Sequence, residues 1–532
     1  MLHAAAVAAL AAAGCGPPAP VNAPAPTAAP AAAAPRARDA ITTADLRRDL
    51  AAFADDSMLG RNAETGDAVR AARFLATRAA AAGLEPAGDS GTFLQHVPLV
   101  RDYLANGSRV RLTTGAGEIT LALGPQLLPV LSLGDSLPRP KLDAEGDLLF
   151  AGYGFTEPGV RDELANKSVA GKVVVFVMDE PPSLDSATRA VMRRDHPLAE
   201  RIARLAERGP AAIIAVLSGR SAALLPEIAA EIRDSAVHLS DGAPALPRTL
   251  PLVLLCDARA AGPLLPPGWP TKPAGRALAG RRLSAHIDWV HVEVPAYNVV
   301  GVRRGGDPAL RGSYVAFGAH LDHIGIQHEP GTEDSIANGA DDDGTGSVAL
   351  LAIARAAVAQ RPAPRRSMLF VWHTGEELGL FGSEWFTSHP TVPLDSIVAQ
   401  LNADMIGRNA RDSLYIVGPR AAPRRQSVVL GTIADSVNLT LKPPFLINRE
   451  WDSPSHPEQI YYRSDHFNYA RRGIPVIFIT TGLHADYHKV SDEVAKIDFA
   501  KLARVAGFIY DVGLAVAERP TRPAPNAHSA PR

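Results

Sequence analysis

The chain has 532 residues, enough for three or four domain-sized pieces and a substantial core. Its 54 Lys and Arg balance 56 Asp and Glu, leaving a net charge of -2 with the signs well mixed, so there is no electrostatic case for a nucleic-acid partner. With two cysteines, Cys15 and Cys256, at most one disulfide can form, and none if Cys15 is acylated or removed.

The chain opens on an export pattern. Ala4 to Ala13 is an apolar run too short to span a bilayer, and it ends in Ala12-Ala13-Gly14-Cys15, which resembles the bacterial lipoprotein processing site. This reading makes residues 1–15 a signal peptide and a lipid on Cys15 the sole membrane attachment, in the cell envelope or periplasm. The alternative is an ordinary secretory signal and a secreted protein. Residues 16–39 are rich in Ala and Pro without hydrophobic periodicity, as expected of a tether. Residues 40–127 read as the N-terminal helical part of the main domain, with Asp45, Asp56 and Asp67 near segment starts and Gly83 closing the second helix. Over 128–290 the character changes. Leu148 to Gly154, Lys172 to Val177, Ala211 to Leu217 and Leu252 to Leu255 read as strands around a helix from Leu198 to Glu207, giving a smaller β-rich insertion in which Cys256 is a buried hydrophobe.

Residues 291–518 alternate strands with helices, and 519–532 read as a disordered tail. Tyr314 to Ala319 runs into His320, and Ser367 to His373 runs into Thr374-Gly375-Glu376-Glu377. Ile397 to Leu401 leads to Asn402-Ala403-Asp404, and Val476 to Thr480 leads towards Tyr487-His488. Helical stretches lie at Ser347 to Ala359, Leu380 to Ser388 and Phe499 to Glu518. The alternation predicts an α/β fold, a mostly parallel mixed sheet flanked by helices, and such sheets bind ligands beyond the carboxyl ends of their strands.

That rim collects His320, the Asp341-Asp342-Asp343 run, Glu376, Glu377, Asp404 and His488. Imidazole and carboxylate without thiolate suit zinc before cobalt or manganese. A lone His or Asp is ordinarily a satisfied polar group; several arriving together at strand ends point to a two-zinc hydrolase. Two ions roughly 3.5–4 Å apart need a carboxylate between them. Asp342 is our choice for that bridge, while His323, His373 and His484 compete for ligand roles.

The runs HLDH at His320, GADDDGTG at Gly339, GEELGLFGS at Gly375, NADMIG at Asn402 and DYHKVSD at Asp486 resemble, in order and spacing from Ala296 to about Ala517, one family. It is the co-catalytic zinc aminopeptidases, which include bacterial leucyl aminopeptidases and glutamate carboxypeptidase II. The resemblance implies one zinc on His320 and Asp404, another on Glu377 and His488, and Asp342 between them, followed by a cis bond to Asp343. It also implies Glu376 as general base and Tyr487 as an oxyanion donor. By position, Asp322, two residues past His320, is placed to orient that imidazole, and Asp492 either orients His488 or is a helix N-terminal carboxylate. The insertion, through its Gly-Tyr-Gly and Gly-Lys-Val segments, resembles a protease-associated domain. The implied activity is removal of N-terminal residues from peptides. The alternatives are a carboxypeptidase or dipeptidase of the same family, a single-zinc glutaminyl cyclase, and a non-catalytic receptor-like binding protein.

Overall fold

In the computed structural model the described residues are 37–524 apart from 125, 131–140, 158–160, 182–183, 196, 220, 225–235, 241–249, 270–273, 329–330, 420–427 and 454. The expected signal peptide, Cys15, the tether up to residue 36 and the tail from residue 525 lie outside them. No helix among the described residues is long and apolar enough to cross a membrane.

Helix Thr43–Phe53 starts at Thr42, whose side chain accepts the Asp45 N–H, so Asp45 sits in the first turn and does not cap. Helix Ala68–Ala81 buries Ala68, Ala71, Ala72, Leu75 and Ala79, a stripe at helical spacing, and Asp67 makes no side-chain cap bond. The chain leaves it through Gly83 at φ 88°, a conformation that glycine adopts without steric cost.

The main sheet has four parallel strands at its centre, in the order Ser367–His373, Tyr314–His320, Ile397–Ala403, Val476–Thr480. Its flanks are antiparallel: Tyr297–Arg303 pairs with Ser367–His373, and Ser413–Val417 with Val476–Thr480. Every residue of the central strands is buried, as expected of parallel strands covered on both faces. Helices Gly346–Ala359 and Phe499–Ala517 pack with Phe317, Phe370 and Trp372 on one face; Phe386, Tyr461, Tyr469 and Ile474 fill the other. Gly513 lets the last helix lie on Phe317, since a Cβ there would come within 2.2 Å of the ring. His320 and His373 are register partners, so the strands stop level with one another and deliver their next residues to one rim.

The insertion has its own eight-stranded sheet, also parallel at its centre, through Asp143–Phe150, Val173–Met178, Ala212–Leu217 and Leu252–Asp257. Its first boundary differs from the expected one. Arg109–Thr114 and Gly117–Leu121 form a hairpin that joins this sheet through Arg276–His286, so the insertion claims the chain well before residue 128. The reason is the alternation in Arg109–Thr114, which buries Val110 and Leu112 in the insertion core. The chain crosses out along Leu99–Leu104 and back along Trp289–Val294, which pair with each other, and Ala236–Leu239 pairs with the first of them. Val237 and Leu239 of that added strand, and Phe381 and Trp385 of helix Phe381–Ser388 just beyond Glu376 and Glu377, all pack on one cluster of Val97, Leu99, Val294 and Ala296.

Candidate metal centre

His320, Asp342, Glu376, Glu377, Asp404 and Tyr487 line one cleft at the carboxyl ends of the central strands. His320 Nε2 lies 3.2 Å from Asp342 Oδ1 and 3.7 Å from Asp404 Oδ1. His488 Nε2 lies 3.3 Å from Asp342 Oδ2 and 3.0 Å from Glu377 Oε2. The two oxygens of Asp342 therefore face different histidines, each accompanied by a further carboxylate. The peptide bond between Asp342 and Asp343 is cis.

The consecutive aspartates do separate work. Asp341 Oδ1 accepts the Gly407 N–H at 2.7 Å and the Thr345 hydroxyl at 3.0 Å. Asp343 accepts the backbone N–H groups of His320, Gly346 and Met405, tying two strand ends to the start of helix Gly346–Ala359. With its neighbours committed to the backbone, Asp342 is left facing the cleft. Arg61, fully buried, donates to the carbonyls of Leu321, Asn338, Gly339 and Asp342 and so braces the same loop. Ser464 donates to Asp404 Oδ2 at 2.7 Å while accepting from Asn402 Nδ2. Neither Arg61 nor Ser464 stood out in the sequence. The signals available were an arginine after Leu59-Gly60, both at positive φ in the structure, and the polar Ser464-Asp465-His466 triplet ahead of helix His466–Arg471.

Two expected contacts differ. The Asp322 carboxylate is 3.9 Å from His320 Nδ1, whereas the Asp322 backbone carbonyl is at 3.1 Å and fixes that tautomer. The carboxylate instead accepts the N–H groups of Glu376 and Glu377, because the turn carrying them folds over it. Asp492 accepts the N–H groups of Asp341 and Asp342 at 2.9 and 3.1 Å and holds the aspartate loop instead of His488. Its own carbonyl accepts the Ala340 N–H, which commits it to that loop. Among the competing histidines, His484 Nε2 faces Asp341 Oδ2 at 3.2 Å, and His373 is enclosed by Asp465 and Tyr469. His323 alone of the three reaches the cleft carboxylates, grouped with Asp342 and Glu377 closely enough to hold an ion.

Tyr487 stacks on His488 with ring centroids 3.9 Å apart, and its hydroxyl accepts from Arg463 at 3.4 Å. The lining of this cleft also has an apolar set, Met405, Trp451, Ile460, Phe478 and Leu483, with Arg463 as the one Lys or Arg in it.

The adjacent glutamates are pushed in opposite directions. Burial raises the Glu376 carboxyl well above the carboxylate range, and the charges of Glu377, Asp404 and Asp465 reinforce it against the pull of His320. Burial and Asp342 also push Glu377 upward, but hydrogen bonds from His323 and His488 outweigh them and bring it to about 2. One carboxyl is thus suited to carrying a proton and the other to remaining an anion. Asp342, Glu376, Glu377 and Asp404 are buried or nearly so, and among the described residues no Lys or Arg forms an ion pair with any of them. Four clustered carboxyls with no Lys or Arg beside them make a set that a bound cation would complete. Imidazole nitrogens with carboxylate oxygens and no sulfur form a donor set that fits zinc.

Residues 298–512 match the family described as peptidase family M28. A probable leucine aminopeptidase of Trichophyton verrucosum (strain HKI 0517) is 28% identical over 221 residues, covering 39% of this chain and 56% of that protein. Leupeptin-inactivating enzyme 1 of Streptomyces exfoliatus is 30% identical over 202 residues, covering 38% of this chain and 39% of that protein. The chain thus spans about half or less of the length of these curated relatives. An aminopeptidase from Aneurinibacillus sp. strain AM-1 shares the fold, with a TM-score of 0.53 over 92% of this chain and 96% of that one, at 14% identity.

Proposed function

We propose that this chain, whose residues 298–512 form a peptidase family M28 domain, is a zinc-dependent exopeptidase that releases N-terminal residues from peptides. The observation that carries this reading is the two-sided exposure of Asp342, one oxygen towards His320 and the other towards His488. In this reading His320 and Asp404 would hold one zinc, Glu377 and His488 the other, and Asp342 would be shared. Bound zinc supplies Lewis acidity towards the scissile carbonyl and acidifies water in the cleft. Glu376 takes the proton of the attacking water and returns it to the leaving amine. Tyr487 donates its hydroxyl to the oxyanion, and Arg463 at 3.4 Å orients that hydroxyl.

The acidic floor suits a free α-amine, and the wall of Met405, Trp451, Ile460, Phe478 and Leu483 suits a large apolar side chain. The relatives named as leucine aminopeptidases agree with that choice. A carboxypeptidase would need converging cations. The lining has Arg463 alone, and it is engaged by Glu458 at 2.9 Å. A single-zinc cyclase would have no use for a carboxylate turned to two histidines. We further infer export, with Cys15 as the lipid-bearing residue; changing Cys15 to Ala should then shift the protein from the membrane fraction to the soluble one.

Elemental analysis and a reporter panel test the central reading. About two zinc per chain, activity lost on chelation, and turnover of aminoacyl-anilides with apolar residues over N-acylated dipeptides are expected. One zinc per chain, or preference for the N-acylated dipeptides, would overturn it.

A further inference from the structure

His323 immediately follows Asp322 and is absent from the ligand set proposed above, yet it is the more buried of the two histidines around Glu377. Its side chain is 0% exposed, against 37% for His488. Its backbone N–H bonds to the Arg61 carbonyl, and it bridges to Asn62. Its ring packs against Gly339, where an added Cβ would come 2.5 Å from two ring carbons. So fixed, the ring places Nδ1 2.7 Å from Glu377 Oε1. A carboxylate can only accept, so Nδ1 carries the hydrogen in this contact. The other oxygen, Oε2, is the one that faces His488 Nε2 at 3.0 Å. His323 Nε2 is buried with no hydrogen-bond partner, so the bond to Glu377 is the ring's polar anchor.

We propose that His323 is a positioning residue for Glu377: it occupies Oε1 and presents Oε2 alone to the ion shared with His488 and Asp342. Carboxylate ligands are commonly held by a hydrogen bond on the oxygen turned away from the metal, and such partners set metal affinity. Here the partner is a buried imidazole anchored to the N-terminal segment through Arg61 and Asn62. The orientation of Glu377 is then supplied by the protein before an ion arrives.

The inference rests on the two-zinc reading, and stepwise zinc affinity measured by competition with a chromogenic chelator separates the two. Wild-type protein binding fewer than two ions overturns that reading. If wild type binds two, the decisive variants are His323→Leu and His323→Asn, close in shape and differing in the donor, since an Asn amide can stand where Nδ1 stands. His323→Leu should weaken one ion by about 10–100-fold and leave the other, while His323→Asn stays within a few-fold of wild type. His323→Leu binding both ions like wild type would show that the ring only packs. His323→Asn losing the ion as fully as His323→Leu would make the ring nitrogen a ligand, and either result overturns the proposal. Should His323→Leu fail to fold, His323→Asp, which puts an acceptor where Asn puts a donor, carries the same contrast. Visible absorption of the cobalt-loaded forms gives a second readout: a positioning role predicts an unchanged band shape at saturating cobalt for His323→Leu, and loss of a nitrogen ligand predicts a changed one.

Discussion

The insertion and the main domain are built alike, with parallel strands buried on both faces and acidic residues at or just past their carboxyl ends. In the insertion two such acids have partners of other kinds. Asp257, ending Leu252–Asp257, pairs with Arg259 at 2.6 Å, and that bond holds its carboxyl below its ordinary range. Asp179, after Val173–Met178, takes a hydroxyl from Ser218, and its carbonyl accepts from the buried Arg201. In the main domain Asp342, Glu376, Glu377 and Asp404 meet histidines and, at Asp404, the Ser464 hydroxyl, and among the described residues no Lys or Arg pairs with any of them. An acidic strand end is therefore not by itself a site. What distinguishes the main sheet is an excess of buried carboxylate with imidazole and no fixed cation, a set completed only by a bound one.

Neutralising one acid in each region is the sharpest way to break this comparison. Asp342→Asn should strip zinc and lower activity on the order of 10⁴-fold or more. Asp257→Asn should change stability by about 0–1 kcal/mol and leave zinc content and turnover unchanged, its partner Arg259 being exposed. Metal analysis beside a melting curve reads both, and a metal-replete Asp342→Asn would remove the distinction.

Within the site the same logic separates the adjacent glutamates. Glu376→Gln cannot accept a proton but keeps the packing, so kcat should fall on the order of 10²–10⁴ with zinc retained. Glu377→Gln should lose zinc together with activity. The reverse pattern would exchange their roles. Tyr487→Phe, which keeps the stack on His488 and removes the hydroxyl, should cost kcat about 10²-fold with little change in metal content. An unchanged kcat would leave Tyr487 as a packed rim aromatic.

The strands and cleft residues were legible because the information is local. An apolar run such as Ser367–His373 followed by Gly375-Glu376-Glu377 announces both the strand and what it delivers. Strand direction was not legible: Tyr297–Arg303 and Ser413–Val417 look like their neighbours in composition and run antiparallel. Nor were the supports of the site. Asp322 and Asp492 were expected to hold imidazoles and instead hold backbone N–H groups of segments 54 and 150 residues distant, a choice made by loop geometry. The insertion boundary was misplaced because the hairpin at Arg109–Thr114 alternates polar and apolar residues where the strands after it are apolar throughout. His323 could be read as a competitor for an ion but not as a hydrogen-bond donor to Glu377, which needs the side-chain positions.

The smallest predicted effect on the site comes from the two buried arginines, one in each region, and it tests whether the regions are independent. Arg61 donates to the carbonyls of Leu321, Gly339 and Asp342, and Arg201 donates to those of Tyr153 and Asp179. Burial pulls each guanidinium down to about 10, against the nearby carboxylates that hold it up. Replacing either by Met strands backbone acceptors at about 1–3 kcal/mol apiece, so both variants should melt earlier. They should part on zinc. The carbonyls freed by Arg61→Met belong to the loop carrying Asp342 and to the residue after His320, so zinc affinity should fall by about tenfold. Those freed by Arg201→Met lie just past the carboxyl ends of two insertion strands, and affinity and kcat should stay within about twofold at temperatures where the protein is folded. If Arg201→Met weakens zinc as much as Arg61→Met does, the cluster of Val97, Leu99, Val294 and Ala296, on which Val237 and Leu239 pack together with Phe381 and Trp385, transmits the disturbance, and the insertion is part of the site's support.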